Sequence, residues 1–480
     1  MPGIRCSVMR GSVRDHGQGH GGEGSVLVIA SISSFLTPFM GSSVNIALPA
    51  IGVSFGMDAV LIGWVTTAYI IASAVFLLPL GRASDILGRK RIFVSGILVF
   101  SLTSLFMPLA PGAWMFLALR ALQGLGGAMI FSTSMAILTA VTSPSRRGRA
   151  IGITVGAVYA GLTAGPFIGG VLTEGFGWKG IFLLAAVLGG CAFLMVLFCV
   201  EEDHADRVSR GFDLAGSLIY SVGLVCLMLG FSLLPARTGI VLLCTGICAM
   251  AGFLLWERNH VSPVLDLRLL KENRVFAWSN LAAFIHYSAT FSTGFLLSLF
   301  LQYVKGMSPS QAGLVLVTQP AVMTALSPLT GRLSDRLEPR ILASTGMAVT
   351  SAGLMALAFM GGNSATGVLV GCLVVLGVGF SLFSSPNTNA VMSSVSRADY
   401  GVASSMIATM RITGQAFSMG IVLVLFSLII GHVRITPDSA GSFMHAFRTG
   451  ILFFSALCIP GIAASLARGD VRPPGREDDR

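Results

Sequence analysis

The chain has 480 residues, 54% of them apolar and only 11% charged, with 58 glycines and a formal net charge of +10. A water-soluble chain of this length carries about a quarter charged residues, so the composition excludes a soluble globular protein and indicates an all-α polytopic membrane protein. Seven of the eight cysteines (191, 199, 226, 244, 248, 372 and 458) lie in apolar runs and Cys6 lies near the N-terminus, a distribution that argues against a disulfide framework.

Each bilayer crossing needs about 20 mainly apolar residues. In chain order the sequence predicts fourteen, over 25–53, 60–80, 92–110, 114–140, 150–172, 178–200, 214–234, 240–256, 276–303, 311–331, 341–360, 367–387, 402–430 and 443–467. Residues 1–24, with Arg5, Arg10 and Arg14 among many glycines, read as a disordered cytoplasmic leader, and the run that follows is too long for a signal-peptide core. His16 and His20 in that leader lack Cys or carboxylate partners at ligand spacing, so no metal site is expected.

Orientation comes from the loops, since Lys and Arg accumulate on the cytoplasmic side. With the N-terminus inside, the inside segments hold 24 basic residues and the outside segments four (Lys179, Arg237, Lys305 and Arg434). Arg120, Arg411 and Arg448 fall within crossings. The pattern predicts both termini in the cytoplasm, and it makes the positive charge a topology signal with no nucleic-acid partner implied.

The sequence also repeats. The turn Gly81-Arg82-Ala83-Ser84-Asp85-Ile86-Leu87-Gly88-Arg89-Lys90-Arg91 returns in shorter form as Gly331-Arg332-Leu333-Ser334-Asp335. An offset of 250 aligns Gly63 with Gly313 and Tyr69 with Gln319, and an offset of 253 aligns Gly124 with Gly377, Gly148 with Gly401 and Gly161 with Gly414. Two parallel six-helix repeats are therefore predicted, 25–200 and 257–467, with two inserted helices over 201–256 and a tail over 468–480. Such a duplication predicts a cavity at the interface of the halves, open to one side at a time.

These motifs together resemble the major facilitator superfamily, and within it the fourteen-helix drug:proton antiporter branch. The turn 81–91 is similar to the family's loop between crossings 2 and 3, Leu119 to Gly126 to its crossing-4 motif, and Gly156 to Gly170 to its crossing-5 antiporter motif. Trp64 to Tyr69, Phe212 to Gly216 and Pro263 to Phe276 are phrasings typical of the fourteen-helix branch. The resemblance implies a monomeric plasma-membrane transporter without cofactor that exports drugs or other amphipathic small molecules by proton-coupled antiport. It also implies a conformational lock at Gly81, Asp85, Gly88, Arg89 and Arg91, echoed by Asp335, and gating along crossing 5 at Gly156, Gly161, Gly165, Pro166, Gly169 and Gly170.

The residue chemistry is compatible with those roles. Spacings of four along crossing 5 put small residues on one face, where backbones approach closely, and Pro166 removes a helix hydrogen bond. A guanidinium inside a crossing is too costly to keep without a partner or a wet cavity, which singles out Arg120, with Gln123 one turn on, and Arg411. Asn45, Trp64, Tyr69, Gln319 and Asn387 are further candidates for the cavity wall. All carboxylates fall in loops or at helix ends, and Met40 stands where the drug antiporters commonly carry an Asp in crossing 1. That absence moves attention to His286 or the loop-proximal Asp85 as a proton carrier, with Arg120 modulating it. It also opens two alternatives: transport of an anionic or neutral metabolite without carboxylate-based coupling, or a membrane sensor that kept the fold. No nucleotide-binding P-loop, HExxH or Gly-x-Ser-x-Gly motif points to an enzyme.

Overall fold

The computed structural model describes residues 20–143, 146–199, 213–260, 267–396, 399–436 and 439–470. Within them are fourteen helices long and apolar enough to cross a membrane. Crossings 1 to 8 are α1 (His20–Phe55), α2 (Ala59–Leu87), α3 (Arg89–Phe106), α4 (Ala113–Val141), α5 (Arg147–Phe176), α6 (Lys179–Cys199), α7 (Leu214–Ser232) and α8 (Arg237–Asn259). A short helix not anticipated among the crossings, α9 (Leu267–Glu272), precedes α10 (Arg274–Leu299), which ends in a π-helical turn. Crossing 10 is split into α11 (Pro309–Leu316) and α12 (Thr318–Arg336). The break has a local cause, since Pro320 has no N–H to offer the Leu316 carbonyl. The set closes with α13 (Pro339–Ala358), α14 (Thr366–Ser393), α15 (Tyr400–Leu425) and α16 (Ala440–Ala467).

Several helices outrun their apolar cores, because polar flanking residues extend a helix until the backbone is forced out of it. In the first half α2 continues through the charged turn as far as Leu87 and stops at Gly88, whose φ of 100° only glycine tolerates well. The second copy of the turn reverses differently. Leu337 is extended, and Pro339 occupies the first turn of α13, where its fixed φ suits a helix start.

The duplication read from sequence is present in the packing. In the first half α1 packs on α5 and α6, α2 on α4, and α3 on α4 and α6. In the second, α10 packs on α15 and α16, α12 on α14, and α13 on α14 and α16. The halves meet through matching pairs, α5 with α11 and α2 with α15. The inserted helices lie beside this seam: α7 packs on α2 and α15 as well as α8. Tyr220 donates to the Ala74 carbonyl at 3.1 Å, and Trp64 Nε1 donates to Ser232 Oγ at 2.7 Å.

Backbone-to-backbone contact through glycine holds each half together. A Cβ at Gly124 would collide with the Tyr69 carbonyl, and one at its repeat partner Gly377 with the Gln319 carbonyl. Gly161 lies against Phe35 of α1, and its partner Gly414 against Phe284 of α10. In lipid no hydrophobic force separates helix from solvent, so such close approach supplies the association energy. We predict that Gly124→Val destabilises the protein by about 1–3 kcal/mol. Gly401→Ala, where the space is open, should leave the melting transition in detergent unchanged.

Candidate functional site

A cavity of about 2230 Å³ lies between the halves and opens at the end where α2, α8, α12 and α14 finish. Its mouth carries Arg82, Arg89, Arg258, Lys271, Glu272 and Asp335. Higher up, the wall is built by Asn45 of α1, Tyr69 of α2, Arg120 of α4, Tyr159 of α5, Tyr287 of α10, Gln319 of α12 and Arg411 of α15. Of the residues singled out from sequence, Asn45, Tyr69, Arg120, Gln319 and Arg411 line the cavity. Trp64, Gln123, His286 and Asn387 do not.

The opposite end is closed by contacts between the halves. Glu174 of α5 accepts from Ser308 Oγ at 2.8 Å and from the Ser310 amide at 3.1 Å, at the start of α11. Gly170 lies directly under Pro309 and Ser310, and Gly313 lies against the Pro166 carbonyl. On the α2 side, Asp58 caps α2 through the Leu61 amide and faces His432 Nδ1 at 3.1 Å, while the Ala59 amide donates to the Val433 carbonyl at 3.0 Å. Between α1 and α10, Gln302 Nε2 donates to the Ile46 carbonyl at 3.0 Å.

These contacts sort the crossing-5 motif. Gly161, Gly165 and Gly169 face α1: Ser43 Oγ donates to the Gly165 carbonyl at 2.9 Å, and Gly169 lies on Ser43. Pro166 and Gly170 face α11 instead. Gly156 has open space around it and does not join the packed face, because five residues, not four, separate it from Gly161.

Arg120 is only 1% exposed. Its Nε donates to the Val65 carbonyl at 3.0 Å, its Nη1 to Gln123 Oε1, and its guanidinium stands 4.7 Å from the Tyr69 ring centre. Gln123 passes the chain on to Ser104 Oγ at 2.7 Å. The cation therefore clamps α4 to α2 and α3 through neutral acceptors. Arg411 is half-buried and differently placed, 4.7 Å from the Phe131 ring centre and near the Tyr287 hydroxyl.

His286 is fully buried, stacked on Phe383 with ring centres 4.0 Å apart and flanked by Phe380 at 5.0 Å. Among the described residues neither ring nitrogen has a hydrogen-bond partner, and the residue sits behind the cavity wall without lining it. Asn387 serves a second buried cation, Arg468, whose Nη1 reaches Asn387 Oδ1 at 3.1 Å and Ser279 Oγ at 3.0 Å. Trp64 is spent on the seam with α7. In the lock, Gly81 and Arg89 line the wide mouth, Arg91 is exposed, and the Asp85 side chain lies outside what the structure describes. Asp335 lies 3.5 Å from Asn389 Nδ2.

Sequence reading missed Arg468, which reads as the start of a basic tail, and the aromatic neighbours of Arg411, which look like ordinary apolar residues. It also missed the cluster at the base of α7 and α8. There the buried Asp213 caps α7 through the Gly216 amide at 2.8 Å and accepts from Trp256 Nε1 at 2.9 Å, with His260 Nδ1 at 3.6 Å. Its sequence signal was Asp213 within the Phe212 to Gly216 phrase ahead of an apolar run, which does not reveal Trp256 and His260 as partners.

Two stretches of the chain, residues 30–419 and 279–479, match the family described as the Major Facilitator Superfamily. The chain belongs to the Major Facilitator Superfamily. It is thus a multi-pass membrane transporter and not an enzyme. Among relatives, it is 31% identical over 401 residues to the multidrug resistance protein Stp of Mycobacterium tuberculosis (strain ATCC 25618 / H37Rv), covering 82% of this chain and 74% of that one. It is 30% identical over 466 residues to the cephamycin export protein CmcT of Amycolatopsis lactamdurans, covering 94% of each. It is 29% identical over 398 residues to the riboflavin transporter RibZ of Clostridioides difficile (strain 630), covering 82% and 86%. In fold it is similar to a bacterial homologue of the human lysosomal transporter Spinster, solved inward-facing and occupied, with a TM-score of 0.70 at 14% identity over 94% of this chain and 97% of that one.

Two outcomes follow for this transporter. Arg120→Leu strands the Val65 carbonyl and Gln123 and should lower stability by on the order of 3 kcal/mol. Arg120→Lys should rescue little, since an ammonium lacks the fork that reaches both acceptors; thermal unfolding in detergent checks both. His286→Gln should keep the wild-type pH dependence of flux in proteoliposomes, and a displaced pH profile would put the imidazole on the proton route.

Proposed function

We propose that this protein exports amphipathic, drug-sized organic molecules across the plasma membrane by alternating access, driven by inward proton movement, and works as a monomer. The observation that carries the reading is the central cavity between two repeats, open at one end and closed by inter-half contacts at the other. Its volume exceeds the 300–1,000 Å³ typical of ligand pockets, as suits a vestibule that admits bulky solutes. The open end is the one where the basic loops gather, so the distribution of Lys and Arg supports a mouth facing the cytoplasm, with both termini on that side. From there a solute enters from the cell interior, the direction that the name of CmcT, an export protein, suggests.

Conversion to the opposite state requires the contacts around Glu174, Asp58 and Gln302 to part and the mouth to close. The turn at 81–91 and its copy at 331–335 stand at that mouth, where the resemblance locates the lock. Gly161, Gly165 and Gly169 hold α5 close on α1 so that the first half moves as one body, while Pro166 and Gly170 carry the seam with α11 along which the halves part. The proton carrier is not a crossing-1 carboxylate, since Met40 is fully buried in that place.

The decisive measurement is flux in proteoliposomes with imposed pH and voltage gradients, using a panel that includes riboflavin and a cephamycin. Accumulation that collapses with a protonophore supports proton antiport; accumulation indifferent to the pH gradient removes it, and no flux of any solute would favour a sensor on this fold. For the conformational cycle, Asp58→Asn combined with Glu174→Gln should shift the ensemble several-fold toward the state open at their end. Spin-label distances across the two ends report that shift, and unchanged distances would mean that these contacts do not hold the closed end.

A further inference from the structure

We infer that Arg411 is the anion-binding subsite of the cavity and that the preferred cargo is an organic anion with a flat aromatic body. The inference rests on the transport reading above and adds the substrate class. Two guanidiniums line the cavity within the crossings, and they are not equivalent. Arg120 is sealed, with Nε and Nη1 bonded to fixed protein acceptors. Arg411 is half-buried and open to the cavity, eleven residues into α15 from Tyr400, or about 16 Å along the helix at 1.5 Å per residue.

The partners of Arg411 are neutral: the Phe131 ring and the Tyr287 hydroxyl. They soften the cost of a cation at membrane depth without cancelling its charge. Among the described residues no carboxylate pairs with it. The acidic side chains that line the cavity, Glu257, Glu272 and Asp335, belong to the last turns of α8, α9 and α12 at the mouth. A ligand carboxylate or sulfonate would supply the missing counter-charge, and a guanidinium fork donates to two oxygens of such a group at once.

The surroundings describe the rest of the ligand. Phe131 and Tyr159 come from the first half, Tyr287 and Phe380 from the second, and all four line the cavity beside Arg411. Rings from both halves can sandwich a planar body whose acidic group faces the guanidinium. The Phe131–Arg411 contact itself crosses between the halves, so a ligand seated there touches both bodies that must move.

The test uses three probes with one fluorophore: dansylglycine as anion, dansylamide as neutral and dansylcadaverine as cation. In titrations of the purified full-length protein, the wild type should bind dansylglycine about tenfold more tightly than dansylamide, and dansylcadaverine most weakly. Arg411→Gln should level the anion and neutral affinities while keeping dansylamide binding, and Arg411→Lys should retain part of the preference. Equal affinities or a cation preference in the wild type would overturn the assignment without reference to any variant, as would an anion preference that survives in Arg411→Gln. Flux of the same probes separates the two readings. Movement of dansylamide or dansylcadaverine without favour for dansylglycine sinks the anion subsite and leaves transport standing. Arg411-dependent anion binding without flux under any gradient leaves the subsite standing and sinks transport.

Discussion

Helices in a bilayer gain little from hiding apolar surface, since lipid is as apolar as leucine, and must associate by touching closely. In this chain the closest contacts are made where glycine lets one backbone rest on another. Gly124 on Tyr69 and Gly161 on Phe35 recur a repeat later as Gly377 on Gln319 and Gly414 on Phe284. Each half is thereby a tight body, and the contacts between halves at the closed end are sparser and more polar. That contrast suits the proposed rocking of the two halves about the cavity.

The same medium decides how charge is used. A guanidinium buried among helices must be given acceptors by the protein, and Arg120 and Arg468 obtain theirs from carbonyls, amides and hydroxyls. Both cations tie several helices within one half. Arg411 is held by an aromatic ring and a phenol at the wall of the cavity, so its charge remains available to whatever enters. Three arginines of the same chemistry thus differ according to what faces them, two buried and one half-buried.

The fourteen crossings, their division by an inserted pair and the matched halves were legible because hydropathy, loop charge and glycine spacing are local or periodic properties. Arg120 and Arg411 were legible as cavity candidates because a cation in an apolar run is conspicuous. His286 was equally conspicuous, yet it packs on Phe383 and Phe380 behind the cavity wall. Trp64 and Asn387 were drawn into contacts with α7 and with Arg468. Periodicity identifies a polar residue in a helix, but a helix has neighbours on all sides, and the side that meets the cavity is set by how other helices pack. Residues that act through distant partners, such as Asp58 with His432 and Glu174 with Ser308, left no local trace.

The sequence by itself therefore determined the membrane class, the number of crossings and the duplication, since bilayer thickness, charge asymmetry and repeat spacing can be read from the chain without its packing. Only the tertiary structure decided which end of the cavity is open, that Arg120 is sealed while the half-buried Arg411 opens to the cavity, and that the crossing-5 glycines divide between α1 and α11. Those outcomes depend on contacts between different helices, from 55 positions apart for Arg120 and Val65 to 374 for Asp58 and His432, where orientation and distance are products of packing and not of any local pattern.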